Sequence, residues 1–177
     1  MKSAVLLLLA TVVLLPSGAE AGCADAAAPG VEWRRCMLGG EDLRGVNLAG
    51  ADLRSGLFNR ADLSGADLRE VRADGAKFIS AELTGVRMDG AELRRADFTN
   101  AVLDEASLVE ADLRNARLYD AKLRRANLTG AMLDRTDLLR ADLSGATWTD
   151  GATVCAEGSI GRCIAGSAPA AELDDGS

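Results

Sequence analysis

The sequence predicts an all-β solenoid, a chain wound into a four-sided coil. Three observations point to it. A five-residue unit, A-D/N-L-x-x, runs without insertion through 23 central positions, one every fifth residue from 38 to 148. All three Phe are centres, at 58, 78 and 98, each 20 residues from the next. Gly45, Gly65, Gly85 and Gly145, two residues after their centres, also differ by multiples of 20. An α-helix cannot use this pattern, because a period of five carries apolar positions around every face. A flat strand fails as well, since an odd period changes sides at each unit. A chain that turns a corner every five residues keeps the centre and the residue two before it inward on every side.

Residues 1–21 come first. Lys2 precedes a 12-residue run, Ala4 to Leu15, apolar but for Thr11 and too short to span a bilayer, which takes roughly 20 residues. Pro16-Ser17-Gly18 interrupts it, and Ala19-Glu20-Ala21 fits a small-x-small cleavage site, so this is read as a signal peptide cut after Ala21. No membrane span is expected after cleavage. Lipidation of Cys23 is the alternative: Ala21 and Gly22 suit it, whereas Glu20 does not. The four cysteines, Cys23, Cys36, Cys155 and Cys163, form two local pairs, as expected in an oxidising compartment. Lipidation would strip Cys36 of its partner. Residues 22–37 are therefore read as an N-terminal cap with a Cys23–Cys36 disulfide loop.

Residues 38–148 carry the repeat. Ala stands two positions before most centres, which keeps opposite walls close, and Leu fills the axis. Val71 replaces Ala where the centre shrinks to Ala73. Burying a Leu contributes about 1.5–3 kcal/mol, against roughly 1–2 kcal/mol per residue for ordering the backbone, so one coil alone cannot hold and stacking is obligatory. Residues 149–164 follow as a C-terminal cap with a Cys155–Cys163 loop. Trp33 and Trp148, near the two ends, are read as packing groups. Residues 165–177 read as a disordered acidic tail.

At this point the run from about 36 to 150 resembles the pentapeptide-repeat family. The resemblance implies a right-handed quadrilateral β-helix of nearly six coils with capped ends. The cysteine-bearing flanks resemble those of exported members, which implies a periplasmic or secreted protein.

Function is less legible. The chain has no His among its 177 residues, so imidazole bases and ligands are excluded. Gly158-Ser159-Ile160-Gly161 is no nucleophile elbow, because Glu157 occupies the first Gly position. Asn127-Leu128-Thr129 is a glycosylation sequon, meaningful only in a eukaryotic secretory pathway. No C-x-x-C zinc spacing occurs. No catalytic, cofactor or metal residue is assigned, and the chain is read as a non-enzyme.

The family's best-known activity, inhibition or protection of DNA gyrase by an acidic DNA mimic, is the alternative. It needs a strongly negative stripe. Residues 38–148 hold 19 acids and 16 bases, and over half of the net −7 lies in the C-terminal flank. Asp42, Asp62 and Glu82 would stack, but Lys122 interrupts them. A nucleic acid partner is not expected either. The favoured function is an exported structural or protein-interaction module of the cell envelope, with an unknown protein partner or a second copy of the chain. Its candidate patch is Leu57, Ile79, Tyr119 and Leu139, outward on the wall whose interior holds the Phe column.

Overall fold

The computed structural model describes residues 22–166; the expected signal peptide (1–21) and the acidic stretch from Ser167 lie outside the described residues. Within them the backbone is a β-helix. The residue before each centre makes a parallel bridge to the residue 20 positions on, from Glu32↔Asp52 through Asn127↔Thr147. Four ladders result, one per wall. Their centres are 33–133, 38–138, 43–143 and 48–148 in steps of 20. We call the first the arginine wall and the second the phenylalanine wall.

Each unit directs its hydrogen bonds in a fixed pattern. On the phenylalanine wall, Lys77 N–H donates back to Gly56 O at 2.9 Å, whereas Phe78 and Ser80 N–H donate forward to Asp97 O and Thr99 O at 2.7 and 2.9 Å. Ala81 N–H closes the corner on Phe78 O at 3.1 Å. The one N–H left over belongs to the residue after the centre. Where an Asp or Asn stands before the centre, it takes this N–H: Asp62 Oδ1 accepts from Ser64 N–H at 3.0 Å, Asp97 from Thr99 at 3.1 Å and Asn127 from Thr129 at 3.0 Å; elsewhere the preceding coil supplies the acceptor, as Asn59 does for Ile79 at 3.3 Å and Asp104 for Arg124 at 3.0 Å. This side-chain turn explains the D/N of the repeat, because those two residues alone carry a short carbonyl-type acceptor that reaches two residues on.

Every corner from 30 to 145 has positive φ at the residue two after the centre, as at the third position of a type II turn. The four-glycine column is thus part of a wider rule. Fourteen of these corners are not glycine, among them Glu70, Arg95 and Asn100 with φ of 56–59°. Each costs about 1 kcal/mol in isolation, and the ladder bonds on both sides of the corner hold it there.

The interior follows the inward assignment. Ala51, Ala61, Ala66 and their counterparts are buried along with the Leu centres, and Val71 with Ala73 as a compensating pair. The Phe rings stack in one column: Phe58 on Phe78 with centroids 5.2 Å apart, Phe78 on Phe98 at 4.9 Å, with interplanar angles of 13° and 7°.

The ends differ from the sequence expectation in two places. The ladder starts at Glu32, inside the stretch assigned to the N-terminal cap, because Val31 and Trp33 fill the inward and central positions of one further unit. The Trp33 indole is buried, and its Nε1–H has no partner among the described residues. At the other end Ala165 and Gly166 are paired rather than loose: Ala165 bridges Cys155, and Gly166 N–H donates to Val154 O at 2.9 Å. Residues 151–166 turn back antiparallel over the sides at 141–150, through Thr147↔Val154 and Asp142↔Ile160. The sides at 131–140 receive no such cover from described residues. There Leu133 and Leu138 are only partly buried, and Leu139 is 62% exposed. The cysteines pair as Cys23–Cys36 and Cys155–Cys163, with S–S distances of 2.01 and 2.03 Å.

Candidate interaction surfaces

The phenylalanine wall carries the expected apolar patch, unevenly exposed. Leu57 stands before its centre and bridges Met37 and Lys77 in the ladder. Ile79, Tyr119 and Leu139 stand after theirs. Leu57, Ile79 and Tyr119 are half-buried, since the coils above and below cover their flanks; Leu139 is largely open because no coil of described residues follows it. The Arg140 guanidinium lies 5.9 Å from the Tyr119 ring centroid, within cation–π range. Met37, at 79% exposure, extends the same wall by one unit. The sequence places Met37 in the stretch 22–37 read as the N-terminal cap, so it does not enter the patch there.

The arginine wall holds a second arrangement, absent from the sequence reading. Asp52 and Asp112 are the buried carboxylates among the described residues, and both stand on this wall. The D-L-R sequence builds each core pair: Arg54 Nε and Nη2 donate to Asp52 at 2.8 and 2.6 Å, and Arg114 does the same to Asp112 at 2.8 and 2.6 Å. The coil supplies the rest. Arg34 Nε donates to Asp52 at 2.6 Å, and Arg72 Nη2 lies 3.2 Å from it. Burial pushes the Asp52 carboxyl up, but the hydrogen bonds from Arg54 and Arg34 outweigh that and hold it well below the usual carboxylate range. Asp112 is lowered chiefly by its hydrogen bond from Arg114.

Other D-L-R units repeat the local pair in more open settings. Asp42 is brought down to about 2 by its hydrogen bonds from Arg44. On the phenylalanine wall, Lys77, Asp97, Arg117 and Asp137 stack as expected, and Arg117 Nη1 reaches Asp97 at 3.0 Å. Exposed pairs of this kind contribute about 0–1 kcal/mol.

Residues that could suggest chemistry are engaged structurally. Ser159 is buried, and its Oγ accepts from Ile164 N–H at 3.1 Å. Asn127 of the sequon accepts from its own Thr129. Among the described residues no helix is long and apolar enough to cross a membrane.

Comparison with known proteins adds a family and a fold. The family model described as Pentapeptide repeats matches in 8 copies, over residues 57–95, 81–120, 91–130 and 111–147. Among solved structures the chain is similar to Rfr23, a pentapeptide repeat protein of the cyanobacterium Cyanothece 51142, at 32% identity, 52% coverage of this chain, 63% of that one and a TM-score of 0.50. It is also similar to HetL of the cyanobacterium Nostoc sp. strain PCC 7120, a pentapeptide repeat protein involved in heterocyst differentiation regulation. There the identity is 35%, the coverage 70% and 62%, and the TM-score 0.44. A third, from the Arabidopsis thaliana thylakoid lumen, is 22% identical over 74% of this chain and 86% of that one, with a TM-score of 0.40. The chain spans a little under two thirds of Rfr23 and of HetL. No curated protein matches it.

Proposed function

Because the chain belongs to the pentapeptide-repeat family, whose fold is a right-handed β-helix, we propose that it works without catalysis as an exported interaction module of the cell envelope. In this reading residues 1–21 are a signal peptide and 38–148 the main body of a solenoid of nearly six coils. The segments tied by Cys23–Cys36 and Cys155–Cys163 form its ends, with the ladder beginning at Glu32 and the C-terminal segment reaching Gly166, and the mature chain is periplasmic or secreted. The two cysteine pairs favour an oxidising compartment.

One observation carries the interaction role. The phenylalanine wall carries outward apolar side chains at intervals: Met37 and Leu139, largely exposed near its two ends, and Leu57, Ile79 and Tyr119, half-buried between them. That wall ends at the sides 131–140, which no described residue of the C-terminal segment pairs over. These apolar groups flank the Lys77, Asp97, Arg117 and Asp137 ladder of the same wall, and a mixed apolar and charged strip of this kind is what a protein partner or a second copy of the chain would cover. Stacked coils hold such groups about 4.8 Å apart per step on a stiff support, so little ordering entropy is lost on binding.

The test replaces Tyr119 and Leu139 together by Ser and measures oligomeric state by light scattering, with crosslinking in native envelope extracts. Loss of the oligomer or of a crosslinked partner is expected. An oligomeric wild type matched by the variant overturns the reading, and so does a monomeric wild type whose crosslinks the variant leaves unchanged. Export is checked separately by fractionation and by sequencing the mature chain, whose first residue should be Gly22.

A further inference from the structure

We infer that the edge between the arginine and phenylalanine walls binds an extended polymer of phosphate-type oxyanions, at two arginine-lined seats sixty residues apart. The first seat is an open groove of about 510 Å³ lined by Arg34, Arg35, Arg54 and Ser55, with no carboxylate in its lining. The second, about 500 Å³, is lined by Arg94, Arg114, Asn115, Asp134 and Arg135. Register relates them: Arg34 and Arg54 correspond to Arg94 and Arg114, three steps of 20 along the same columns. At about 4.8 Å per step the seats lie about 14 Å apart.

The seats are built rather than merely charged. Asp52 is fully buried and grips Arg34 and Arg54 from beneath, which fixes two long side chains that would otherwise wander. Arg54 spends Nε and Nη2 on that carboxylate and keeps Nη1; Arg34 spends Nε and keeps both Nη atoms. Arg114 is fixed on Asp112 in the same way. Arg94 Nε is held by Asp74 at 2.8 Å. Arg35 and Arg135 make no ion pair with any described residue and complete the two seats.

Guanidinium groups with fixed planes and spare N–H donors match tetrahedral oxyanions, and preorganisation lowers the entropic cost of binding. The corner column, Arg35, Ser55, Gly75, Arg95, Asn115 and Arg135, contains no acid, whereas the adjacent column that carries Arg34, Arg54, Arg94 and Arg114 has Asp74 between the seats, engaged by Arg94. Asp134 makes the second seat the weaker one. Neither groove is lined by an aromatic ring, so nothing there stacks bases as single-strand binders do. The ligand proposed is inorganic polyphosphate or a like polyanion whose recognition rests on its oxyanions alone and that spans both seats.

The test uses the mature chain with labelled inorganic polyphosphate and reads the Kd by fluorescence anisotropy. Arg34→Gln/Arg35→Gln should weaken binding at least tenfold, and Arg114→Gln/Arg135→Gln less. Arg60→Gln/Arg87→Gln, which removes the same charge elsewhere, should change it less than twofold. Thermal melts of all three variants verify folding, and salt titration of the wild type should weaken binding. Equal losses in all three variants would mean unspecific attraction and overturn the proposal. Orthophosphate competing as well as the polymer, per phosphate, would overturn the two-seat span. Single-stranded DNA of equal charge binding as tightly would overturn the base-free assignment.

Discussion

Gly56 lies against the ring of Phe58, so close that a Cβ at position 56 would stand 2.6 Å from ring Cε2 and 2.9 Å from Leu53 O. This is the inward position that holds Ala before Phe78 and Phe98. Gly56→Ala should therefore lower stability by about 1–3 kcal/mol through overpacking, read as a drop in Tm. Adding Phe58→Leu should recover part of that loss, since the carbonyl contact remains. A Gly56→Ala variant as stable as wild type would show that the Phe column does not set this position.

Ala96 is buried on the same inward row, two residues before Phe98. Ala96→Leu adds volume to an axis with no room for it, and a destabilisation of about 1–3 kcal/mol is expected in thermal or denaturant melts. Unchanged stability would contradict the inward assignment of the alanines.

Asp62 separates the turn role of the repeat's acid from its charge. Its Oδ1 accepts from Ser64 N–H and from Ser64 Oγ–H at 2.6 Å. Asp62→Asn keeps that oxygen and should stay within about 0.5 kcal/mol of wild type. Asp62→Ala leaves the N–H to water and should cost about 1 kcal/mol. Urea melts of the two variants distinguish the roles, and equal losses would refute the turn assignment.

The pH profile follows from the carboxylates. Asp52, Asp67 and Asp112 all have folded-state pKa values below their ordinary range; Asp67 is lowered chiefly by its hydrogen bond from Arg69. A depressed pKa contributes stability that is present above the unfolded value, about 4, and is lost as pH falls toward the folded value. With no His in the chain, Tm should stay level between about pH 5 and 8 and fall below about pH 4. Asp52→Asn should make the acid loss shallower while lowering stability at pH 7. A wild-type Tm that changes steeply between pH 5 and 8 would be inconsistent with this.

The repeat made the fold legible because one arithmetic rule fixes both corners and columns, and the stacking of Phe58, Phe78 and Phe98 follows from it. The packing role of Trp33 is legible, but its place as the centre of a further unit is not, because that unit replaces both signature residues, Leu by Trp and Ala by Val31. Positive φ at Glu70 or Arg95 escaped for another reason: nothing local asks for it, and only the ladders on either side impose it. The Asp52 clamp joins two distances at once, Arg54 two residues on and Arg34 in the preceding coil, so no single column of the repeat displays it. That the sides at 131–140 lack cover from described residues depends on where residues 151–166 turn back, which composition does not encode.

The twenty-residue bridge also makes the protein a ruler marked in quarter turns. Duplicating one full set of four units would lengthen the rod by about 4.8 Å and leave every downstream side chain facing as before. Removing a single unit near the middle would instead rotate all that follows by ninety degrees. Tyr119 and Leu139 would then part company with Leu57, and Arg94 with Arg34, although no individual coil need be weaker.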